Sequence, residues 1–168
     1  MEPQDEDRRA VVRGAAAQIG EQLAGRGRVL PDAVIDCPAG AVGDAPDLVV
    51  LAPGARPDGR GRYRVRDVEA VLDVAPPGRA PEHAARARAY AECGIATHVV
   101  VDPAAEVCTV HTAPAPGGAY REAEHVPFGN DLFLPLAGRT LVLRTDDFSA
   151  GRPTPGTGPD TGRGIVDG

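Results

Sequence analysis

The chain has no lysine and no tryptophan, and all 18 of its basic side chains are arginines. The first absence removes the one basic side chain whose amine can be neutralised by burial, because arginine stays charged at any ordinary pH. With aromatics at only 4% of 168 residues, the core has to be built from Val, Leu and Ala. No apolar run approaches the ~20 residues of a membrane span, so a membrane protein is not expected. The three cysteines, Cys37, Cys93 and Cys108, are odd in number, share no metal-ligand spacing and follow no signal peptide. They read as three reduced, mostly buried thiols of a cytoplasmic protein. A net charge of −6 argues against a general nucleic-acid coat protein, although it leaves room for a local basic surface.

The length and the 42% of hydrophobic residues suit one globular domain with tails. Residues 1–7 are acidic and are expected to be disordered. Residues 8–148 would form the domain, and the Gly/Pro/Thr-rich stretch 149–168 has nothing to bury and is expected to be disordered as well. Val11, Ala15, Ile19 and Leu23 recur every four positions, which predicts an amphipathic helix from Arg8 to Ala24. Strands are expected at 28–36, 47–52, 68–74 and 97–101, with a hairpin over 106–125 and two short strands at 132–136 and 140–143. A second helix opens at Pro81, where the missing N–H is harmless, and Gly94 stands at its C-terminal cap. This order of elements describes an α/β domain with a mixed β-sheet flanked by two helices.

Two carboxylates stand out against this background. Asp47 leads the run Leu-Val-Val-Leu, and Asp73 interrupts Ala-Val-Leu-Asp-Val-Ala. A carboxylate among Val and Leu is costly to bury unless it is paired, hydrogen-bonded or bound to a metal. Brought together on neighbouring strands, the two would suit a hard divalent cation. The plainer reading of Asp47 is a strand-entry residue after proline. The segment Gly54–Arg66 carries five arginines and one aspartate, a local charge of +4. If extended, Arg60, Arg62, Arg64 and Arg66 would share one side as a contact strip for nucleic-acid phosphates; the alternative is a solvated loop. His98, His111 and His125 lack ligand spacing and read as ordinary strand residues. A Cys93–His98 thiol–imidazole pair would have no third group to orient it.

Pro46-Asp47, Leu72-Asp73-Val74, Tyr90, Cys93-Gly94-Ile95 and His98-Val99-Val100-Val101-Asp102-Pro103 resemble, in order and spacing, the Uma-type restriction endonuclease family. That family belongs to the PD-(D/E)XK nuclease superfamily. Val107–His111, Gly118–Arg121 and Val126–Gly129 extend the resemblance over residues 8–148. It implies a restriction-endonuclease-like fold with C-terminal β-hairpins, and a Mg²⁺- or Mn²⁺-dependent enzyme that cleaves DNA. The metal would be held by Asp47, Asp73 and the carbonyl of Ala75, and a homodimer would let two sites address two strands.

The departures from the family pattern are specific. Asp73 stands where the family usually has Glu, and Arg86 stands where it often has Lys, four residues before Tyr90. Pro76-Pro77 replaces the usual Ser, and Arg8 or Arg9 replaces an early His. Arg86 can clamp a phosphate but cannot accept a proton; it could also form a plain surface pair with Glu82. Two further readings stay open: a catalytically degenerate member that binds nucleic acid or protein, and an unrelated small hydrolase.

Overall fold

The computed structural model describes residues 3–37 and 45–149. The chain from 150 onward, where most of the expected disordered tail falls, and residues 1–2 lie outside them. Helix α1 spans Pro3–Leu23, so it starts well before Arg8, and residues 3–7 extend the helix instead of forming a loose end. Asp5 and Glu6 sit in its first turn, where negative charge meets the positive end of the helix dipole. Its Val11, Ala15, Ile19 and Leu23 are all buried, as their spacing requires.

The main sheet has six strands in the order β1-β3-β5-β6-β7-β8. These are β1 (Arg28–Pro31), β3 (Leu48–Leu51), β5 (Val68–Val74), β6 (Thr97–Asp102), β7 (Val107–Ala115) and β8 (Ala119–Pro127). β5 and β6 pair in parallel while the other neighbours are antiparallel. Helix α2 (Ala80–Cys93) makes the crossover that a parallel pair needs. The expected strand 28–36 is broken in two, because Asp32 turns to φ 52° and Ile35–Asp36 leaves the sheet as β2. β2 pairs instead with β4 (Tyr63–Arg64), a short strand inside the arginine-rich loop.

The sheet is covered on both faces, so its central strands read as continuous apolar runs. Leu48, Val50, Leu72, Val99 and Val101 pack with α1, while Val49, Leu51, Val71, Tyr90 and Ile95 form the core on the α2 side. α2 ends at Gly94 with φ 84°, and the Ile95 N–H returns to the Tyr90 carbonyl at 3.1 Å.

The two last strands, β9 (Asp131–Leu136) and β10 (Arg139–Arg144), form a separate hairpin. Their Leu132, Leu134, Leu141 and Leu143 complete the core beneath α1. Gln18 and Gln22, one turn apart on α1, hydrogen-bond the backbone of β10. Their amide oxygens accept the Arg144 and Val142 N–H groups at 2.7 and 2.9 Å, and their amide nitrogens donate to the carbonyls of the same residues at 3.0 and 2.7 Å. The open edge of β10 is thereby occupied by side chains.

Cys37 and Cys93 are joined in a disulfide with Cα atoms 5.6 Å apart, so the expectation of three free thiols is corrected. Their chain separation of 56 residues hid the pair from any spacing argument. Cys108 is free and buried, and burial pushes its thiol up to about 12. Among the described residues no helix is long and apolar enough to cross a membrane.

Candidate active site

The acid pair follows from strand register. Leu48 on β3 faces Leu72 on β5, so the next position outward sets Asp47 beside Asp73. The contact runs through the backbone in both directions. The Asp47 N–H donates to Asp73 Oδ1 at 3.3 Å, and the Val74 N–H donates to Asp47 Oδ2 at 2.8 Å. Both residues are buried, at 6% and 3% exposure.

Each carboxylate has its own arginine. Arg8 of α1 reaches Asp47 Oδ1 through Nε at 3.1 Å and through Nη2. Arg86 of α2 donates from Nη2 to Asp73 Oδ1 at 3.1 Å and to the Tyr90 hydroxyl at 2.7 Å. The surface pair Glu82–Arg86 does not form: Glu82 pairs with Arg79 at 3.2 Å, and Arg86 turns inward. The two guanidiniums balance the two carboxylates, which is how a low-dielectric site tolerates four charges.

His98 completes the network and departs from its reading as an ordinary strand residue. It has no exposed surface, and its Nε2 lies 3.0 Å from Asp73 Oδ2. On parallel β5 and β6, His98 is in register with Val71. That places it on the same face as Asp73, one pleat away. Its ring packs edge-on to Tyr90 at 4.8 Å and stacks on His111 at 5.7 Å. Cys93, the other half of the imagined thiol–imidazole pair, is taken up by Cys37. Sequence alone could have found His98 only by pairing β5 with β6 in parallel and setting their register.

Burial alone would raise the Asp73 carboxyl, but the hydrogen bond and charge of His98 and the charge of Arg86 outweigh it, and the net direction is down. Asp73 is therefore ionised at neutral pH. The Arg8 guanidinium is held above its ordinary value, chiefly by its hydrogen bond to Asp47. Burial pushes the Tyr90 phenol upward, so it stays protonated.

The arginine strip lies elsewhere. Asp47 and Asp73 sit at one end of the β3–β5 pair, and the loop joining these strands leaves from the other end. Arg66 precedes β5, and Val68 to Asp73 spans five residues of strand, about 16 Å. Nor are the four arginines one extended row. The Asp58 carboxylate accepts the N–H groups of Arg60 and Arg62 at 2.8 and 2.9 Å in a turn. Arg62 is also ion-paired to Asp58 and Asp36. Arg64 and Arg66 are exposed and share a surface depression with Arg56, Asp58 and Asp67.

The donor chemistry bears on whether a divalent metal suits this site. Among the described residues no group of three or more His, Cys, Asp or Glu side chains gathers as ligands. Two carboxylates nonetheless fit a hard ion that prefers oxygen and keeps several of its own waters. Arg8 is 48% exposed, so it can leave Asp47 when a cation arrives. Ala75, whose carbonyl would be the third donor, follows β5 and lines two clefts, one shared with His83 and the other with Arg8. Its N–H is fixed on the Val101 carbonyl at 2.7 Å.

A mixed sheet with a helix on each face, a C-terminal hairpin and two acids meeting at one end of adjacent central strands defines a nuclease-like α/β fold. The family model "Uma2: Putative restriction endonuclease" matches residues 1–145, and the chain belongs to that family. Its fold is similar to that of a crystal structure of a "putative nuclease belonging to DUF820" from Anabaena variabilis ATCC 29413. The TM-score is 0.60 at 13% identity, over 85% of this chain and 80% of that one. No curated protein matches.

Proposed function

We propose that the protein is a Mg²⁺- or Mn²⁺-dependent DNA endonuclease of the PD-(D/E)XK type, with Asp47, Asp73 and the Ala75 carbonyl holding the ion. The observation that supports this most is the meeting of two buried carboxylates, from the start of β3 and the end of β5, at one end of the sheet. A bound divalent ion would neutralise charge on the scissile phosphate. The rest is the work of the chain's own residues. Asp73 is kept charged by His98 and Arg86. Arg86 is held in place by the Tyr90 hydroxyl and, at 3.4 Å, by the Ala45 carbonyl. Its planar donors suit a phosphate oxygen better than a point charge would. Arg8, once released from Asp47, becomes a second phosphate contact at the mouth of the site. The test is nicking of supercoiled plasmid by the pure protein. Nicked product is expected with Mg²⁺ or Mn²⁺ and none in a chelator; nicking that ignores the chelator would rule out the metal.

One observation favours the second reading, a binding module that has lost cleavage. Both carboxylates are already neutralised by arginines, and a cation must compete with them. Binding without nicking, under either metal, would select that reading.

Arg60, Arg62, Arg64 and Arg66 remain candidates for DNA contact away from the cut. Arg64 and Arg66 are the strongest of the four, since Arg62 is engaged by two aspartates. A separation of about 16 Å corresponds to roughly five base pairs of duplex, so one DNA segment could reach both places. Replacing both Arg64 and Arg66 with Gln is expected to reduce the slope of log affinity against log salt by about two. An unchanged slope would remove the strip from the interface.

A further inference from the structure

We propose that His83 is the proton acceptor in strand cleavage, the role that Arg86 cannot fill in a chain without lysine. This rests on the nuclease reading above. His83 lies on α2 one turn before Arg86. With Ala75, Pro76 and Pro77, its imidazole lines a cleft of about 590 Å³ that opens beside the end of β5. Its Nδ1 is shut off from solvent, and it has no hydrogen-bond partner among the described residues. With Nδ1 closed off, exchange of a proton with a water in the cleft falls to Nε2, the ring nitrogen that is not shut off.

The charges around this ring set its protonation. Burial lowers its affinity for a proton, the charges of Arg86 and His98 lower it further, and Asp73 and Asp47 pull the other way. The net direction is down. The remaining charged or titratable groups of the cleft are Arg79, Asp102, His111 and His125. Burial, with the charges of His98 and His125, also holds His111 low. At neutral pH His83 is therefore a neutral base within reach of the acid pair's field. Arg86, one turn along the helix, keeps its charge.

The step balances without any further reactant. A water oxygen bonds to phosphorus while the bond from phosphorus to the leaving sugar oxygen breaks. The proton lost by that water goes to His83, and the leaving oxygen takes one from solvent. His83 then returns its proton to solvent. Nothing is oxidised or reduced.

His83→Gln separates this role from mere shaping of the cleft, since glutamine keeps polarity and loses the titration. The assay is plasmid nicking from about pH 5 to pH 9 with Mg²⁺ or Mn²⁺. The wild-type rate is expected to climb through a midpoint below the ordinary histidine value of about 6.5 and then level off. The variant should be slower by about 100-fold or more and lose that acidic limb. His83→Gly should recover rate when free imidazole is added. A second readout needs neither metal nor DNA: NMR titration of the metal-free protein should show His83 protonating below the ordinary value. That midpoint should move up in Arg86→Gln. An unchanged pH profile in His83→Gln, no rescue by imidazole, or titration at the ordinary value would each overturn the proposal. Nicking by the wild type and by His83→Gln alike would refute this role alone, whereas no nicking by the wild type would take the nuclease reading down with it.

Discussion

Asp73→Ala is expected to lower the unfolding free energy by about 3–5 kcal/mol, the cost of leaving a buried ionic partner uncompensated. The carboxylate is contacted at 3.1 Å by Arg86, at 3.0 Å by His98 and at 3.3 Å by the Asp47 N–H. Alanine removes the acceptor for all three at once and leaves a half-buried guanidinium beside a fully buried imidazole. Urea unfolding followed by circular dichroism measures the loss. The effect should depend on pH with a definite sign. The folded carboxyl has its pKa below the unfolded value of about 3.9, so its contribution is complete above that value and fades as pH falls through the folded pKa. The gap between wild type and Asp73→Ala should therefore narrow below about pH 4. A gap under about 1 kcal/mol at neutral pH would mean that the network carries little stability.

Cys37→Ser is expected to cost about 4 kcal/mol, from the chain-entropy account of a bridge closing a loop of this size. The bridge spans 56 residues and ties the end of β2 to the last turn of α2. A Cα separation of 5.6 Å lies within the range that a disulfide can span. Reductant should bring the wild type down to the level of the variant and leave Cys108→Ser as sensitive as the wild type. Thiol counting after unfolding should find one free group without reductant, because Cys108 is the unpaired cysteine. Three titratable thiols in the unreduced protein would contradict the pairing. The bridge lies at the end of the sheet where β5 and β6 begin, away from the acid pair, so its loss should weaken folding more than any chemistry at Asp73.

Local pattern made much of this fold legible. The four-residue spacing of Val11, Ala15, Ile19 and Leu23 placed the buried face of α1, and Pro81 with Gly94 bracketed α2. The runs around Asp47 and Asp73 marked strands buried on both faces, and their carboxylates drew attention because they were polar inside those runs. What escaped depended on contacts between distant parts of the chain. Arg8 is 39 residues from Asp47 and His98 is 25 from Asp73, and only strand register and helix docking bring them in. The inward turn of Arg86 was hidden by Glu82, a good partner four residues away that is instead taken by Arg79. The arginine alternation misled for a different reason. It assumed one extended segment, where Asp58 folds a turn and Arg62 finds two aspartates.

The central claim is that Asp47 and Asp73 form one metal-binding, phosphodiester-cleaving unit. Its most direct test compares plasmid nicking by the wild type, Asp73→Ala and Asp73→Glu in the same Mn²⁺ buffer. The account predicts nicking by the wild type, none above background by Asp73→Ala, and retained or faster nicking by Asp73→Glu, whose extra methylene keeps the carboxylate. Equal nicking by the wild type and Asp73→Ala would contradict it.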